Sequence, residues 1–247
     1  MRFLENIVQS ISARVLPTAC IVCDQFQSDW ICPGCLQSVY DSSFIHYECC
    51  YQCAIPLGAD ELTDQQCKRC KADPPFFNAT YCLSAYDGPL QSALHQLKYQ
   101  KRIAFAHGLA DAWNRILSRK LEHSLAACLL PVPLSIEKLM ARGFNQSWEL
   151  AKRVHCDSHL QKLSQVLKRH HHAGHQAGST ITARREDIRG MFYIDDRYLD
   201  FLRGRVVIVF DDVMTTGATL NEIARILKAA GVRHIINWVL LRTTRLG

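Results

Sequence analysis

No apolar run in the 247 residues reaches the roughly 18 needed to cross a bilayer, so a membrane span is not expected. Residues 1–17 carry Leu4, Ile7, Val8, Ile11 and Val15 at helical spacing, but charges interrupt them and the continuous apolar core of an export signal is missing. A short amphipathic helix and a cytoplasmic protein are therefore expected. There is no low-complexity tract and, paired cysteines apart, no internal repeat, which argues against solenoid and array architectures. Charged residues make up only 21% against 48% hydrophobic ones, the balance of a globular chain with a core and not of a disordered one.

The charge that is present falls unevenly. Residues 1–82 hold 5 Lys/Arg against 9 Asp/Glu, whereas residues 83–247 hold 24 against 14, so the net +6 belongs to the larger, C-terminal part. A basic domain of this kind suits phosphate-bearing ligands, whether nucleotide or nucleic acid.

Cysteine is abundant, with twelve residues, nine of them between Cys20 and Cys70. Eight of those nine form the CxxC pairs Cys20/Cys23, Cys32/Cys35, Cys50/Cys53 and Cys67/Cys70. Two thiolates at this spacing face one tetrahedral ion, and two such pairs close a structural site with no open position for substrate. Two structural zinc ions are expected. Sequential pairing is the simplest arrangement, an interleaved one stays open, Cys49 is a spare thiol and His46 a weak alternative ligand. Disulfides are disfavoured by the inferred reducing compartment. Cys82, Cys128 and Cys156 lie in apolar or helical surroundings and read as inert thiols.

The paired prolines Pro74 and Pro75 forbid helix and mark a boundary, giving a cysteine module over 1–75 and an α/β domain over 76–247. Strands are expected at 80–86, 126–132, 206–210 and 235–241, and helices at 89–100, 103–120, 146–155 and 219–230. The polar stretch 168–179 reads as a loop. This alternation implies a parallel sheet flanked by helices.

The most specific signal is the run from Val206 to Leu220. A wholly apolar strand delivers Asp211 and Asp212 at its C-terminal end, where ligands of open α/β sheets bind, and the turn Thr215-Thr216-Gly217-Ala218-Thr219 then opens a helix. Backbone N–H groups and the threonine hydroxyls suit a 5-phosphate, Gly217 allows its close approach, and the two aspartates suit ribose hydroxyls.

This segment resembles the phosphoribosyl diphosphate (PRPP) signature of type I phosphoribosyltransferases. Pro131-Val132-Pro133-Leu134-Ser135 with Arg142-Gly143-Phe144-Asn145-Gln146, and Arg169, Gln176 and Arg184 ahead of Gly190-Met191-Phe192, resemble the ComF family of competence and GntX-like proteins. The chain departs from that family's pattern at Ser179 and Asp187. The resemblance implies a type I phosphoribosyltransferase-like α/β domain that binds PRPP or a related ribose-phosphate with magnesium bridging its diphosphate. It places Val132 and Arg142 near the diphosphate, and Arg169 and Arg184 in a closing loop. It also implies a role in natural transformation, with single-stranded DNA and the DNA-uptake or recombination machinery as partners. An active phosphoribosyltransferase with an unidentified acceptor is the alternative, since neither a nucleobase-reading motif nor a glutaminase-type cysteine at the N-terminus is present. His170, His171, His172 and His175 crowd the same loop without Cys or Asp partners for a metal, and Lys98, Lys101 and Arg102 are read as an extension of the basic surface.

Overall fold

The computed structural model describes residues 18–118, 121, 125–170 and 188–244. The helix expected over 1–17 lies outside them, as do Arg184 and most of the loop containing it.

The apolar runs assemble one parallel sheet. Naming elements in chain order, its strands are β3 (Ala79–Ala85), β4 (Ala126–Pro131), β5 (Gln161–Lys162), β8 (Val206–Met214) and β9 (His234–Arg242), in the spatial order β3-β9-β8-β4-β5. Two short antiparallel ribbons stand apart from it: β1 (Thr18–Ala19) with β2 (Phe26–Gln27), and β6 (Leu167–Arg169) with β7 (Phe192–Ile194). The helices are α1 (Pro33–Asp41), α2 (Lys68–Ala72), α3 (Gln91–Tyr99), α4 (Phe105–Ile116), α5 (Ile136–Arg142), α6 (Gln146–Ala151), α7 (Leu199–Leu202) and α8 (Ala218–Ala229).

β8 is central and covered on both sides, which is why its first five residues, Val206–Phe210, are continuously apolar instead of alternating. Ile208 and Phe210 join the core under α3, α4 and α6, whereas Val207 and Val209 join the core under α8. Trp113 of α4 packs edge-on to Phe210 at 5.6 Å and lies 5.7 Å from Trp238, filling the first layer with large rings.

The cysteine-rich segment is built into these layers. Cys20, Ile21, Ile31 and Val39 belong to the α3–α4 core, and Cys50, Cys53, Cys67 and Cys70 belong to the α8 core. Gly108 of α4 allows the first contact, because a Cβ there would lie 2.8 Å from Ile21 Cδ1. The cysteine-rich segment also covers the outer edge of β3, through a bridge from Ser43 to Ser84 and a hydrogen bond from Thr80 N–H to Tyr51 O at 2.9 Å. An open strand edge is thereby hidden.

Three local expectations change. The stretch beginning at Lys168 is not all loop: Lys168 and Arg169 lie in β6, paired with Tyr193 and Phe192. Residues 136–142 form a helix, although none of its side chains is buried and so no apolar period announces it. β8 also runs beyond Phe210 to Met214, so Asp211 and Asp212 are strand residues, with Asp211 in register with Val239.

Candidate functional site

Asp211 and Asp212 are almost fully buried, at 8% and 4% exposure, a costly placement for carboxylates without partners. The partners come from α3 and α6. Ser147 Oγ donates to Asp211 Oδ1 at 3.1 Å, and the Asp212 N–H donates to the same oxygen at 3.0 Å. Gln146 Nε2 donates to Asp212 Oδ1 at 3.4 Å, and Lys98 of α3 forms an ion pair with Asp212 Oδ2. α6 is held in place for this by Asn145, whose side chain accepts from the N–H groups of Ser147 and Trp148 and donates to Val132 O.

The two carboxyls consequently differ. Burial and the adjacent Asp212 charge push the Asp211 carboxyl well above the ordinary range. Burial acts the same way on Asp212, but the Lys98 ammonium outweighs it and holds that carboxyl below its usual value. Asp212 carries the charge, and Asp211 is the more readily protonated partner.

Two cavities meet at this pair. The first, about 400 Å³, is bordered by Asp211, the turn 215–219, and Lys138 and Arg169. The turn ends at the N-terminus of the 12-residue α8, whose first N–H groups have no partner one turn back. Gly217 takes φ +81°, a left-handed conformation. A Cβ there would approach Met214 Cε to 2.6 Å, so Gly217→Ala combines a backbone cost of about 1–2 kcal/mol with a displaced methionine. We expect it to lower the thermal midpoint and to weaken phosphate binding, measured by calorimetric titration of ribose 5-phosphate. The second cavity, about 420 Å³, borders Asp212, Lys98, Lys138, Arg142 and Tyr99. Arg142 donates to Gln146 Oε1 at 2.7 Å and lies over the Tyr99 ring at 5.5 Å.

Of the residues expected from sequence, Asp211, Asp212, Thr215, Thr216, Gly217, Ala218, Thr219, Arg142 and Arg169 converge on these cavities. Val132 does not: its N–H is donated to Phe210 O at 2.9 Å, its C=O is taken by Asn145, and it lines neither cavity. Leu134 borders the second cavity in its place. Arg184 lies outside the described residues. Lys98, Lys138, Gln146 and Ser147 were not expected in the site. Lys98 follows Leu94 by one helical turn, so it stands at the margin of the buried face of α3, a position that sequence alone reads equally well as solvated.

The cysteines form two sets, Cys20, Cys23, Cys32 and Cys35, and Cys50, Cys53, Cys67 and Cys70, with the sulfurs of each set within 4.8 Å of one another. The contacts Cys23–Cys32 at 3.8 Å and Cys53–Cys67 at 3.6 Å are close to the ~3.8 Å edge of a sulfur tetrahedron around zinc at ~2.3 Å, so the donor sets fit the ion. The pairing is sequential. Both sets are built alike: a tight turn closed by Asp24 N–H to Cys20 O in one and Ala54 N–H to Cys50 O in the other, then a helix N-cap at Cys32 or Cys67. Asp24 and Ala54 both take positive φ, at 59° and 54°.

The second set touches the turn at 215–219. Arg69, beside Cys70, donates to Thr216 O at 2.6 Å. Arg242, only 1% exposed, donates to Cys53 O at 3.1 Å and also to the carbonyls of Met214, Thr215 and Thr243. Arg69→Ala is expected to weaken ribose 5-phosphate binding several-fold and to lower the thermal midpoint, since it loses one charge-assisted bond to the turn worth about 1.5–3 kcal/mol. Unchanged affinity would show that the brace does not shape the turn.

A parallel sheet that ends in an acidic pair and a helix-capping hydroxyl turn defines a phosphoribosyltransferase-like α/β protein, and residues 142–245 match the phosphoribosyl transferase domain family. Over a longer span the chain is 29% identical to competence protein F of Haemophilus influenzae, covering 86% of this chain and 90% of that one. It is 30% identical to DNA utilization protein YhgH of Escherichia coli O157:H7, covering 78% and 84%. The chain belongs to the ComF family that these proteins represent. Among solved structures, a hypoxanthine phosphoribosyltransferase from Staphylococcus aureus matches at 16% identity and a TM-score of 0.32, over 57% of this chain and 67% of that one. Among the described residues no helix is long and apolar enough to cross a membrane.

Proposed function

We propose that this protein serves DNA utilisation in natural transformation, a reading supported by relatives named competence protein F and DNA utilization protein YhgH, and that its α/β domain does so by binding PRPP or a related ribose-phosphate. The observation that carries the ligand class is the first cavity. A helix N-terminus and a hydroxyl turn form one wall, Lys138 and Arg169 supply positive charge, and a buried carboxyl stands beside them to accept from a diol. In this reading the zinc ions are structural. Titration calorimetry with PRPP and with ribose 5-phosphate tests the pocket: binding of both is expected, and binding of neither would overturn the assignment.

Single-stranded DNA in the cytoplasm is the proposed macromolecular partner, with the uptake or recombination machinery supplying it. Lys101 and Arg102 are exposed and stand beside the exposed Tyr99, a basic and aromatic patch suited to phosphates and bases. Lys98 does not belong to that patch, because its ammonium is turned inward onto Asp212. If the patch binds DNA, log affinity falls linearly with log salt, and Lys101→Gln with Arg102→Gln lowers the slope by about 1.4 without changing sequence preference. Salt-independent binding, or a slope unmoved by the two substitutions, would reject the patch.

A further inference from the structure

The carboxylate that faces the second cavity already has its cation. Both Asp212 oxygens are engaged, Oδ1 by Gln146 and Oδ2 by Lys98. The pair is well shielded, with side-chain exposures of 16% for Lys98 and 5% for Asp212, so salt screens it little. The same cavity is bordered by Lys138 and Arg142, which sets three cations against one carboxylate. That surplus is felt within the site: burial, followed by the charges of Arg169, Arg142 and Lys98, lowers the pKa of Lys138. An anion relieves this crowding, whereas a divalent cation would enter against three like charges and find no free oxygen on Asp212.

We propose that Lys98 is a built-in counter-cation of the site, supplying beside Asp212 the positive charge that a metal ion would otherwise bring, so that PRPP-class ligands bind without magnesium. The proposal rests on the ribose-phosphate reading of the first cavity. α3 fixes the geometry: Ala93, Leu94 and Leu97 bury one face of the helix, and Lys98, next along the helix, projects from the edge of that face toward the end of β8. The negative diphosphate then meets Lys98, Lys138 and Arg142, while the phosphate of the ribose 5-position takes the turn at 215–219.

The test is titration calorimetry of the full chain with PRPP, in EDTA and in magnesium, with ribose 5-phosphate as the probe that lacks a diphosphate. The parent is expected to bind PRPP with affinities within about threefold in the two buffers, a difference well under the ~1.4 kcal/mol of a tenfold change. Lys98→Met keeps the length of the side chain and removes its charge. It is expected to bind PRPP at least about tenfold more weakly in EDTA, to recover most of that loss in magnesium, and to bind ribose 5-phosphate as the parent does. Lys98→Arg, which keeps the charge, covers the case of a Met variant that does not fold: it is expected to remain magnesium-independent. Parent binding that vanishes in EDTA while ribose 5-phosphate still binds would overturn the role of Lys98 and leave the pocket standing. An equal loss for Lys98→Met in both buffers would overturn it too, since a packing role does not depend on the metal. If the parent binds neither ligand, the pocket reading falls and this proposal with it.

Discussion

Replacing Asp211 and Asp212 together by Asn is expected to weaken PRPP binding by at least about tenfold, because hydrogen bonds to a charged acceptor are worth ~1.5–3 kcal/mol and ~1.4 kcal/mol suffices for that factor. The single variants should divide this effect unequally. In the ligand-free protein Asp212 carries the charge and Asp211 is held toward its neutral form by burial and by its neighbour. Asp211→Asn alters the carboxyl that borders the first cavity and should account for most of the binding loss, whereas both Asp212 oxygens are already engaged within the protein and Asp212→Asn should cost binding less. Asp212→Asn instead strips the counter-ion from Lys98, whose pairing with Asp212 outweighs burial and raises its pKa. Such a raised ammonium pKa stabilises the fold below the ordinary lysine value and loses that contribution only in strong alkali. The stability loss in Asp212→Asn should therefore be present throughout neutral pH and be read as a lower thermal midpoint. A double variant that binds PRPP as tightly as the parent would reduce the acidic pair to an ordinary strand end.

Elemental analysis is expected to return two zinc ions per chain, and strong chelation to unfold far more than the cysteine segment. Apparent binding free energies of structural zinc in small peptides are about 10–16 kcal/mol, as large as the whole stability of a typical domain at about 5–15 kcal/mol. Sequence alone suggests that the α/β domain should survive loss of the module, but the packing argues otherwise, since each cysteine set shares a hydrophobic core with one face of the sheet. The two sets should also be separable. Cys20→Ser with Cys23→Ser should lose one zinc and loosen the contact with α4. Cys67→Ser with Cys70→Ser should lose the other zinc and weaken ribose 5-phosphate binding as well, through Arg69 and Thr216 O. Metal-free protein with mapped disulfides would overturn the zinc assignment.

The elements legible in the sequence were those with a strong internal period or a long apolar run. The five apolar residues from Val206 to Phe210 announce a strand buried on both faces, and α3, α4 and α8 carry buried stripes at helical spacing. α5 was missed because it buries no side chain and so leaves no pattern. The β6–β7 ribbon was missed because Lys168 and Arg169 are polar and their partners stand on the far side of a long connection. The surroundings of Val132 were hidden for a different reason: sequence shows that a turn follows β4, but not that the Val132 N–H is already spent on Phe210 O.

The spacing of cysteines, the acidic pair at a strand end and the glycine at the helix entry are local facts. Their chemistry depends on neighbours within a few residues, so the chain alone determined the CxxC pairs and the hydroxyl turn, while only the structure decided that the pairs combine sequentially. Which cation meets which carboxylate is not local. Lys98, Lys101 and Arg102 are indistinguishable as a basic run, yet packing of α3 against the sheet turns Lys98 onto Asp212 and leaves the other two in solvent. The same holds for Arg69 and Arg242, whose bonds tie the second cysteine set to residues 214–216. Tertiary packing decides these pairings because burial makes an unpaired charge costly, and a buried charge is satisfied by whatever partner the fold brings within reach.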